Sequence, residues 1–316
     1  MNQPVCSIII PTRNCLNYLP TTLATIDLQG RADLEVIVVD DGSSDGTAEW
    51  LASRPATGFA LKVIETGGIG PGPARNAGIE VASAKLVALL DADDQWWPGK
   101  LDSQLAYHAE NTGTGFSFTD YIHVTPDGRT LGTCFDYWNC GWTIMPDSTY
   151  FTLKDAEAKL LGSNLVGTST VVMNRELFLA NDGFGSRMPS AEDWDLWLRL
   201  AAAAPVACSS AVTMSYLVRP GSMTADRRGR IDSMRAIIAS YERRVEPEFK
   251  KAVRYARARC EVAEAELARA QGNRAGAAMA HMRAMAARPD WRTGRALMAD
   301  VVAAVEAPVR MLAPAR

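Results

Sequence analysis

Short apolar runs alternate with helical patterns over roughly the first third of the chain. The runs are rich in valine, isoleucine and leucine, as the buried strands of a parallel sheet are. The predicted strands are residues 5–10, 34–39, 61–64 and 86–90. The segments between them predict helices at about residues 18–28, 45–51 and 74–82. Strands that alternate with helices form βαβ units, so this pattern predicts an α/β fold with a Rossmann-like, mostly parallel sheet flanked by helices.

The pattern becomes less regular in the middle of the chain. Two predicted strands, 116–124 and 131–135, are separated by the turn sequence TPDGR and form a hairpin. We expect residues 136–159 to be irregular, and further strands at residues 165–173 and 214–218. A helix is predicted at residues 192–203, and its tryptophan and leucine residues give it a mostly buried face.

The end of the chain is alanine-rich, charged and helical in pattern. The predicted helices are residues 231–245, 249–271, 274–287 and 293–312. One helical hairpin is too little to be called a repeat array. The chain is therefore expected to contain an α/β domain at residues 1–227 and a C-terminal α-helical region at residues 228–316.

Three carboxylates follow the fourth predicted strand directly: Asp91, Asp93 and Asp94. Open α/β sheets bind ligands at the carboxyl ends of their strands. Like charges crowded there repel, and a hard divalent cation that also bridges phosphates would relieve the repulsion. In the alternative interpretation Asp94 only caps a helix that starts near Pro98, which accounts for one carboxylate and not for three.

A glycine-rich loop at residues 67–73 precedes the third predicted helix. It matches neither GxGxxG after the first strand nor GxxxxGK[ST], which disfavours a dinucleotide-binding or P-loop function. The loop either lets backbone approach a ligand or shapes a turn. Arg75 follows it at the helix start, where a guanidinium could reach a ribose or a phosphate.

Composition narrows the classes of function. The apolar fraction of 47% supports a sizeable core, and the net charge of −3 argues against a general nucleic-acid binder. The six cysteines contain no CxxC pair, so buried free thiols are expected. The first residues lack the basic region of a signal peptide, and no apolar run is long enough for a transmembrane helix. These features predict a cytoplasmic protein.

Five motifs in order resemble the family 2 glycosyltransferases of the GT-A fold, across roughly residues 4 to 225. The motifs are SIIIPTRN, VIVVDDGSSDGT, GPARNAGI, LLDADDQWWPGKL and AEDWDLWLRL. No QxxRW motif of processive members follows, so the resemblance implies an inverting, non-processive bacterial enzyme that adds one sugar. It also implies a nucleotide-binding half at residues 1–110 and an acceptor half at residues 111–227.

The resemblance assigns roles to individual residues. Asp91 and Asp93 correspond to the DxD pair, and Asp93, with Asp91, would hold Mn²⁺ or Mg²⁺ on the donor diphosphate. Asp193 corresponds to the general base, and Glu192 would support it. Arg219 stands where relatives place a histidine or arginine near the pyrophosphate. The remaining nucleotide-sugar contacts implied by the family fall on Pro11, Thr12, Arg13, Asp40, Asp41, Arg75 and Ala92.

The implied reaction moves one sugar from a nucleotide-diphosphate sugar, a UDP-sugar above all, to a hydroxyl of a glycan or lipid-linked glycan. Such chemistry serves polysaccharide biosynthesis and the cell envelope. Two alternatives stay open. One is a catalytically inactive GT-A adaptor that binds partners through its helical tail, against which the intact Asp91, Asp93 and Asp193 argue. The other is a nucleotidyltransferase, which would usually show a basic glycine-rich signature near the first strand.

The last predicted helix carries an apolar stripe flanked by Arg295 and Arg310. Such a helix suits packing in a homodimer or peripheral contact with the inner membrane face. Two acids on the helix, Asp300 and Glu306, weaken attraction to anionic lipid, so dimer packing is favoured.

Overall fold

The structure is a computed structural model that describes residues 3–54, 58–138, 149–185, 190–219 and 226–312, with side chains to residue 305. Within these residues ten strands form one mixed sheet. The strands are β1 Cys6–Thr12, β2 Leu34–Asp40, β3 Ala60–Glu65, β4 Leu86–Leu89, β5 Gln95–Trp96, β6 Phe116–Val124, β7 Thr130–Thr133, β8 Phe151–Thr152, β9 Val172–Asn174 and β10 Val206–Leu217.

Helices connect and flank these strands. They are α1 Leu19–Asp27, α2 Thr47–Ser53, α3 Pro71–Glu80, α4 Lys100–Glu110, α5 Cys134–Trp138, α6 Ala156–Gly162, α7 Arg175–Ala180, α8 Glu192–Ala203, α9 Arg227–Tyr241, α10 Pro247–Ala270, α11 Arg274–Ala287 and α12 Trp291–Leu312. The chain divides into two compact units, one of Met1–Leu160, Asn164–Arg187 and Glu192–Pro220, the other of Leu161–Ser163, Met188–Ala191 and Gly221–Arg316.

The sheet has the strand order β3-β2-β1-β4-β9-β6-β10-β5, with β7 on β6 and β8 on β10. The longer pairings, β1 with β2, β2 with β3, β1 with β4 and β6 with β10, are parallel. The short strand β9 runs antiparallel to both β4 and β6. The predicted α/β fold with a mostly parallel sheet is therefore confirmed, and β9 joins its two parallel parts.

Burial explains why the first strands could be recognised in the sequence. Every residue of β1 is buried, as are most residues of β2 and β4, because helices cover both faces of a parallel sheet. By contrast β3 lies at the sheet edge and is mostly exposed, and its sequence is correspondingly more polar.

Several local predictions are wrong in the middle of the chain. The predicted strand 165–173 contains a 3-10 turn at Thr168–Thr170, and only its last two residues belong to β9. The predicted strand 131–135 ends at Thr133, because the Thr133 hydroxyl accepts a hydrogen bond from the Asp136 amide at 3.2 Å and starts α5. The predicted irregular stretch 136–159 contains parts of α5 and α6 and the short β8.

Five cysteines are buried free thiols, as predicted: Cys6, Cys15, Cys134, Cys208 and Cys260. The sixth, Cys140, lies outside the described residues. Among the helices that the structure describes, none is long and apolar enough to cross a membrane.

The second unit contains helices α9 to α12. In it, Asp300 of α12 is fully buried and joins three side chains from two other helices. Its carboxylate accepts hydrogen bonds from Arg269 at 2.6 Å and Arg274 at 3.1 Å, and lies 3.0 Å from Nδ1 of His281. Burial alone would raise the pKa of Asp300, but the two arginines lower it. The buried carboxylate of Asp300 therefore connects α12 to α10 and α11.

A buried lysine in the first unit makes stability depend on pH. Lys100 is 1% exposed, its ammonium donates to Gln104 at 2.6 Å, and it lies 4.2 Å from the ring centroid of Trp96. Burial lowers the pKa of Lys100 to about 7, whereas an unfolded lysine titrates near about 10.4. The cost of burying the charge is therefore fully present below the folded pKa and disappears as pH rises from about 7 to about 10.

We expect Lys100→Met to change this pH dependence. Its stability relative to the wild type should fall by about 3 kcal/mol between about pH 6 and about pH 9, because only the wild type gains from losing the buried charge. Urea unfolding of both proteins across that range measures the difference. Losing the bond to Gln104 adds an offset that does not depend on pH. A constant difference between the two proteins would show that Lys100 is not buried as a charge.

Candidate active site

The acidic segment after β4 forms a tight turn. The Asp94 amide donates to the Asp91 carbonyl at 3.1 Å. Ser169, in the 3-10 turn, holds this segment from the side: its hydroxyl accepts from the Asp91 amide at 2.9 Å and donates to the Asp94 carboxylate at 2.6 Å. The side chains of Asp91 and Asp93 are left 28% and 20% exposed. Two carboxylates are thus presented at the carboxyl end of a central strand.

Arg75 connects this turn to the start of α8. Its guanidinium donates to Asp91 at 2.5 Å, lies 3.9 Å from a carboxylate oxygen of Glu192, and stacks 5.3 Å from the ring centroid of Phe184. Burial would lower the pKa of Arg75, but the charges of Asp91, Glu192 and Asp193 together raise it. The predicted site residues at 75, 91 and 192 therefore lie together, and Arg75 stays charged between the acids.

Arg219 pairs with the second exposed acid. Its Nε lies 2.7 Å from the Asp93 carboxylate, and its guanidinium lies 4.9 Å from the ring centroid of Tyr18. Burial and the neighbouring Asp91 raise the pKa of Asp93 in spite of this arginine. The two arginines, Arg75 and Arg219, supply part of the charge compensation that the sequence argument assigned to a metal ion.

The alternative interpretation, in which Asp94 only caps a helix, is wrong. Helix α4 begins at Lys100 and has Gly99, without a side-chain cap, at its start. Asp94 is instead 2% exposed and bonded to Ser169. Burial and then the charges of Asp91 and Asp93 raise its pKa well above the usual range. Asp94 therefore belongs to the support of the turn.

The carboxylate of Asp41 organises the glycine-rich loop. It accepts hydrogen bonds from the Thr66 hydroxyl at 2.6 Å and from the amides of Gly68, Ile69 and Gly70 at 2.9, 2.7 and 2.8 Å. Burial would raise the pKa of Asp41, but these four donors lower it. Gly68 and Gly70 have φ of +79° and +94°, which other residues adopt rarely. The loop is thus shaped as a turn that starts α3.

The remaining predicted nucleotide contacts surround the ends of β1 and β2. Thr12 is paired in register with Asp40, and its buried hydroxyl has no hydrogen-bond partner within the described parts of the chain. Asp40 accepts from the Ser43 amide at 3.0 Å. The guanidinium of Arg13 lies against Gly68, 3.5 Å from where a Cβ would stand. Pro11 is paired in register with Val39, and Ala92 lies within the acidic turn, where its carbonyl accepts a hydrogen bond from the Thr22 hydroxyl.

The first turn of α8 brings two further acids. Asp193 accepts from the Trp194 amide at 2.7 Å and from the Thr168 hydroxyl at 3.4 Å. Glu192 is 17% exposed, and burial followed by the charge of Asp193 raises its pKa although Arg75 opposes the rise. A carboxyl group with a raised pKa beside an exposed acidic pair is typical of catalytic sites.

Sequence reasoning missed several residues that support the site, and most lack a recognisable signal. They are Tyr18, Thr66, Thr168, Ser169 and Phe184.

The acidic turn fits a divalent cation in combination with a substrate. Asp91 and Asp93 each give one carboxylate oxygen to an arginine and keep a second. Over the described residues no group of three or more His, Cys, Asp or Glu side chains could hold a metal ion. Mg²⁺ is often bound by one or two carboxylates together with substrate phosphates, so two carboxylates are a sufficient protein contribution.

Comparison with known proteins shows which family this part of the chain matches. The family model described as Glycosyl transferase family 2 matches residues 7–157, which include the acidic turn, Asp41 and Arg75. Residues 7–157 are a family 2 glycosyltransferase domain. This confirms the resemblance read from the five motifs.

Curated relatives match the chain over longer stretches than the family model does. TuaG of Bacillus subtilis, assigned to teichuronic acid biosynthesis, is 32% identical over 175 residues, covering 55% of this chain and 64% of TuaG. The amylovoran biosynthesis glycosyltransferase AmsB of Erwinia amylovora is 31% identical over 201 residues, covering 61% and 62%. The chain thus spans less than two thirds of these relatives.

Solved glycosyltransferase structures share the fold of this chain. S. aureus TarS 1-349 in complex with UDP-GlcNAc has a TM-score of 0.62 at 17% identity, covering 89% of this chain and 90% of that one. The mannosyltransferase PcManGT of Pyrobaculum calidifontis, in complex with GDP-Man and Mn²⁺, has a TM-score of 0.63 at 22% identity, covering 98% and 83%. The predicted GT-A fold is confirmed by these likenesses.

Proposed function

We propose that this chain transfers one sugar from a UDP-sugar to a hydroxyl group of a glycan or lipid-linked glycan, with inversion at the anomeric carbon. The observation that carries the proposal is the position of Arg75, which joins Asp91 of the acidic turn to Glu192 beside Asp193. The buried side chain of Arg75 thereby links an acid suited to the donor diphosphate with the acids suited to activating the acceptor hydroxyl. The UDP-GlcNAc bound by TarS and the polysaccharide pathways of TuaG and AmsB support the substrate class.

In this proposal Asp193 is the general base. The acceptor oxygen attacks the anomeric carbon from the face opposite the diphosphate, its proton passes to Asp193, and the bond from carbon to the leaving phosphate oxygen breaks. Glu192 and Arg75 hold the base helix against the acidic turn. A divalent cation on Asp91 and Asp93 would supply positive charge to the leaving diphosphate when bound.

The nucleoside is proposed to lie over the ends of β1 and β2. The unpartnered hydroxyl of Thr12 would find a hydrogen-bond partner there, as buried polar groups require. Asp41 fixes the adjacent loop and retains lone-pair capacity on Oδ2, which accepts a single described donor. Arg219 would stand beside the diphosphate while it holds Asp93. Arg13, Asp40, Pro11 and Ala92 would complete the wall.

Release of nucleotide diphosphate tests this function. The full chain is incubated with a panel of UDP- and GDP-sugars with and without Mn²⁺ or Mg²⁺, and the released UDP or GDP is measured. We expect one UDP-sugar to release UDP slowly by hydrolysis in water, and faster by sugar transfer when its acceptor is present. Absence of both release and donor binding for every nucleotide sugar would reject the transferase, and partner binding through the tail would then favour the adaptor.

Replacing Asp93 by Ala should uncouple nucleotide binding from the metal. The variant loses one of the two exposed carboxylates of the acidic turn, so Mn²⁺ should no longer strengthen UDP binding, while the fold persists because Asp93 is partly exposed. Calorimetric titration of UDP with and without Mn²⁺ measures the effect. Asp102→Ala, an exposed acid on α4, is the matched control. Equal metal dependence in Asp93→Ala and wild type would contradict the assignment.

A further inference from the structure

A cavity of about 520 Å³ lies in the C-terminal helical unit, and none of its lining residues belongs to the proposed active site. We call it the arginine cavity. Its lining consists of Arg269, Arg274, Trp291, Arg292, Arg295, Ala296 and Ala299. Four guanidinium groups around one space form a strongly positive site, and guanidinium forks match phosphate oxygens in two-point contacts.

No acidic residue is among those that line the cavity. The stretch of sequence that contains the lining residues, 269–299, is followed by Asp300 and includes one acid, Asp290. Asp300 is fully buried beneath Arg269 and Arg274, whose side chains stay 29% and 45% exposed. Asp290 accepts from the Thr293 amide at the start of α12. Two of the four lining arginines share the single charge of Asp300, so we expect the cavity to carry net positive charge.

An exposed apolar surface continues from the cavity along α12. Trp291 lines the cavity and is 63% exposed, and the guanidinium groups of Arg292 and Arg295 lie 5.6 and 5.7 Å from its ring centroid. Further along the helix the exposed side chains are apolar: Met298, Val301, Val302 and Val305. Soluble helices normally turn such residues inward and their charges outward, whereas the described part of α12 buries Asp300.

We propose that the arginine cavity and the apolar side of α12 bind the surface of a bilayer rich in anionic phospholipid. A headgroup phosphate occupies the cavity, and Trp291 with the apolar side chains enters the boundary between headgroups and acyl chains. Basic residues beside an exposed apolar helix face and an interfacial tryptophan are the features of a helix that lies in a membrane surface.

The arrangement favours a membrane over a second copy of the chain. A two-fold dimer would place the same patch on both partners, so two arginine-rich cavities would come close together. Like charges at an interface are unfavourable. The expectation that Asp300 weakens attraction to lipid does not hold, because Asp300 is buried and paired. The side chains of Glu306 and Arg310 lie outside the described part of the chain.

Vesicle flotation with the full chain tests the proposal. We expect the wild type to bind phosphatidylcholine vesicles containing about 30% phosphatidylglycerol at least about 10-fold more tightly than pure phosphatidylcholine vesicles, and to lose most of that advantage at about 0.5 M salt. Equal binding to the two kinds of vesicle, or none to either, overturns the proposal.

Paired variants assign the binding to this surface. Arg292→Ala with Arg295→Ala should weaken binding about 10-fold or more, whereas Arg235→Ala with Arg257→Ala removes the same charge from exposed positions outside the cavity and should change it little. Val302→Glu should also weaken binding, and Val245→Glu, at another exposed valine, should not. Equal losses in the paired variants would overturn the proposal.

Light scattering and calorimetry distinguish a membrane from the other possible occupants of this surface, a second copy of the chain and a soluble anion. Circular dichroism establishes that each variant remains folded. Light scattering gives the mass of the protein without vesicles, and inorganic phosphate is titrated by calorimetry. A dimer that Val302→Glu dissociates, in a protein that does not bind vesicles, would replace the membrane by a second copy. Phosphate binding without vesicle binding would replace it by a soluble anion.

Discussion

Replacing Asp193 by Asn is expected to lower sugar transfer by at least about 100-fold, the low end for loss of a general base, with UDP binding close to that of wild type. Asparagine has nearly the same size and keeps an oxygen that can accept from the Trp194 amide. It cannot take the proton of the acceptor hydroxyl at neutral pH. The change therefore removes basicity with little effect on the start of α8.

Initial rates at saturating acceptor, with calorimetry of UDP binding, measure the effect. Asp195→Asn is the matched control, because Asp195 is an acid of the same helix turn that pairs with Arg199 at 2.9 Å. It should leave transfer within a few-fold of wild type. Near-normal transfer by Asp193→Asn would place the base elsewhere, and Glu192→Gln would then test the neighbouring carboxylate.

The second large effect concerns stability. Asp41→Ala is expected to lower the free energy of unfolding by about 3 kcal/mol, because it removes a carboxylate that accepts four hydrogen bonds and leaves loop amides unpaired. Urea unfolding followed by tryptophan fluorescence measures the loss. Thr66→Val removes only one of the four donors and should cost about 1 kcal/mol.

The effect should depend on pH in a defined direction. The pKa of Asp41 is lower in the folded protein than the unfolded value of about 3.9, so its stabilisation is present above about pH 4 and is lost as pH falls through the folded pKa. The difference between wild type and Asp41→Ala should therefore shrink in acid. A loss below about 1 kcal/mol at neutral pH would mean that water replaces the carboxylate in the loop.

The elements that the sequence predicted well have one physical property in common. The strands β1, β2 and β4 are buried on both faces, so their sequences are nearly continuous apolar runs, and the acids that end two of them are conspicuous. Because parallel strands end at one edge of the sheet, Asp41 and Asp91 could be placed near the same crevice from sequence. Their hydrogen-bond partners could not.

Ser169 shows why part of the candidate site could not be predicted from the sequence. It lies in the sequence GTSTVVM, whose β-branched residues predict a strand. In the structure Ser169 bonds to Asp91 and Asp94, which are more than seventy residues away in the chain. A tertiary contact of this kind overrides local propensity, and no periodicity in the sequence reports it. By contrast the start of α7 had a recognisable signal, since Asn174 caps it by accepting from the Leu177 amide at 3.0 Å.

The acidic turn also changes the argument for a metal. Crowded carboxylates alone do not require a cation here, because Arg75 and Arg219 already face Asp91 and Asp93. The case for Mn²⁺ or Mg²⁺ rests on the free carboxylate oxygens and the diphosphate they would share. Sequence reasoning could identify both arginines as site residues, but not which acid each one contacts.

The buried carboxylate of Asp300 has a consequence for motion at the end of the chain. Helices with exposed apolar side chains and few buried contacts often open locally, and their amides then exchange with deuterium almost as fast as those of a peptide. Here any opening of the middle of α12 must separate Asp300 from Arg269 and Arg274 and leave charges without partners. Amides near Asp300 should therefore exchange at the rate of α10 and α11, in one cooperative opening. The helix would meet any binding surface already formed, without a folding step on contact.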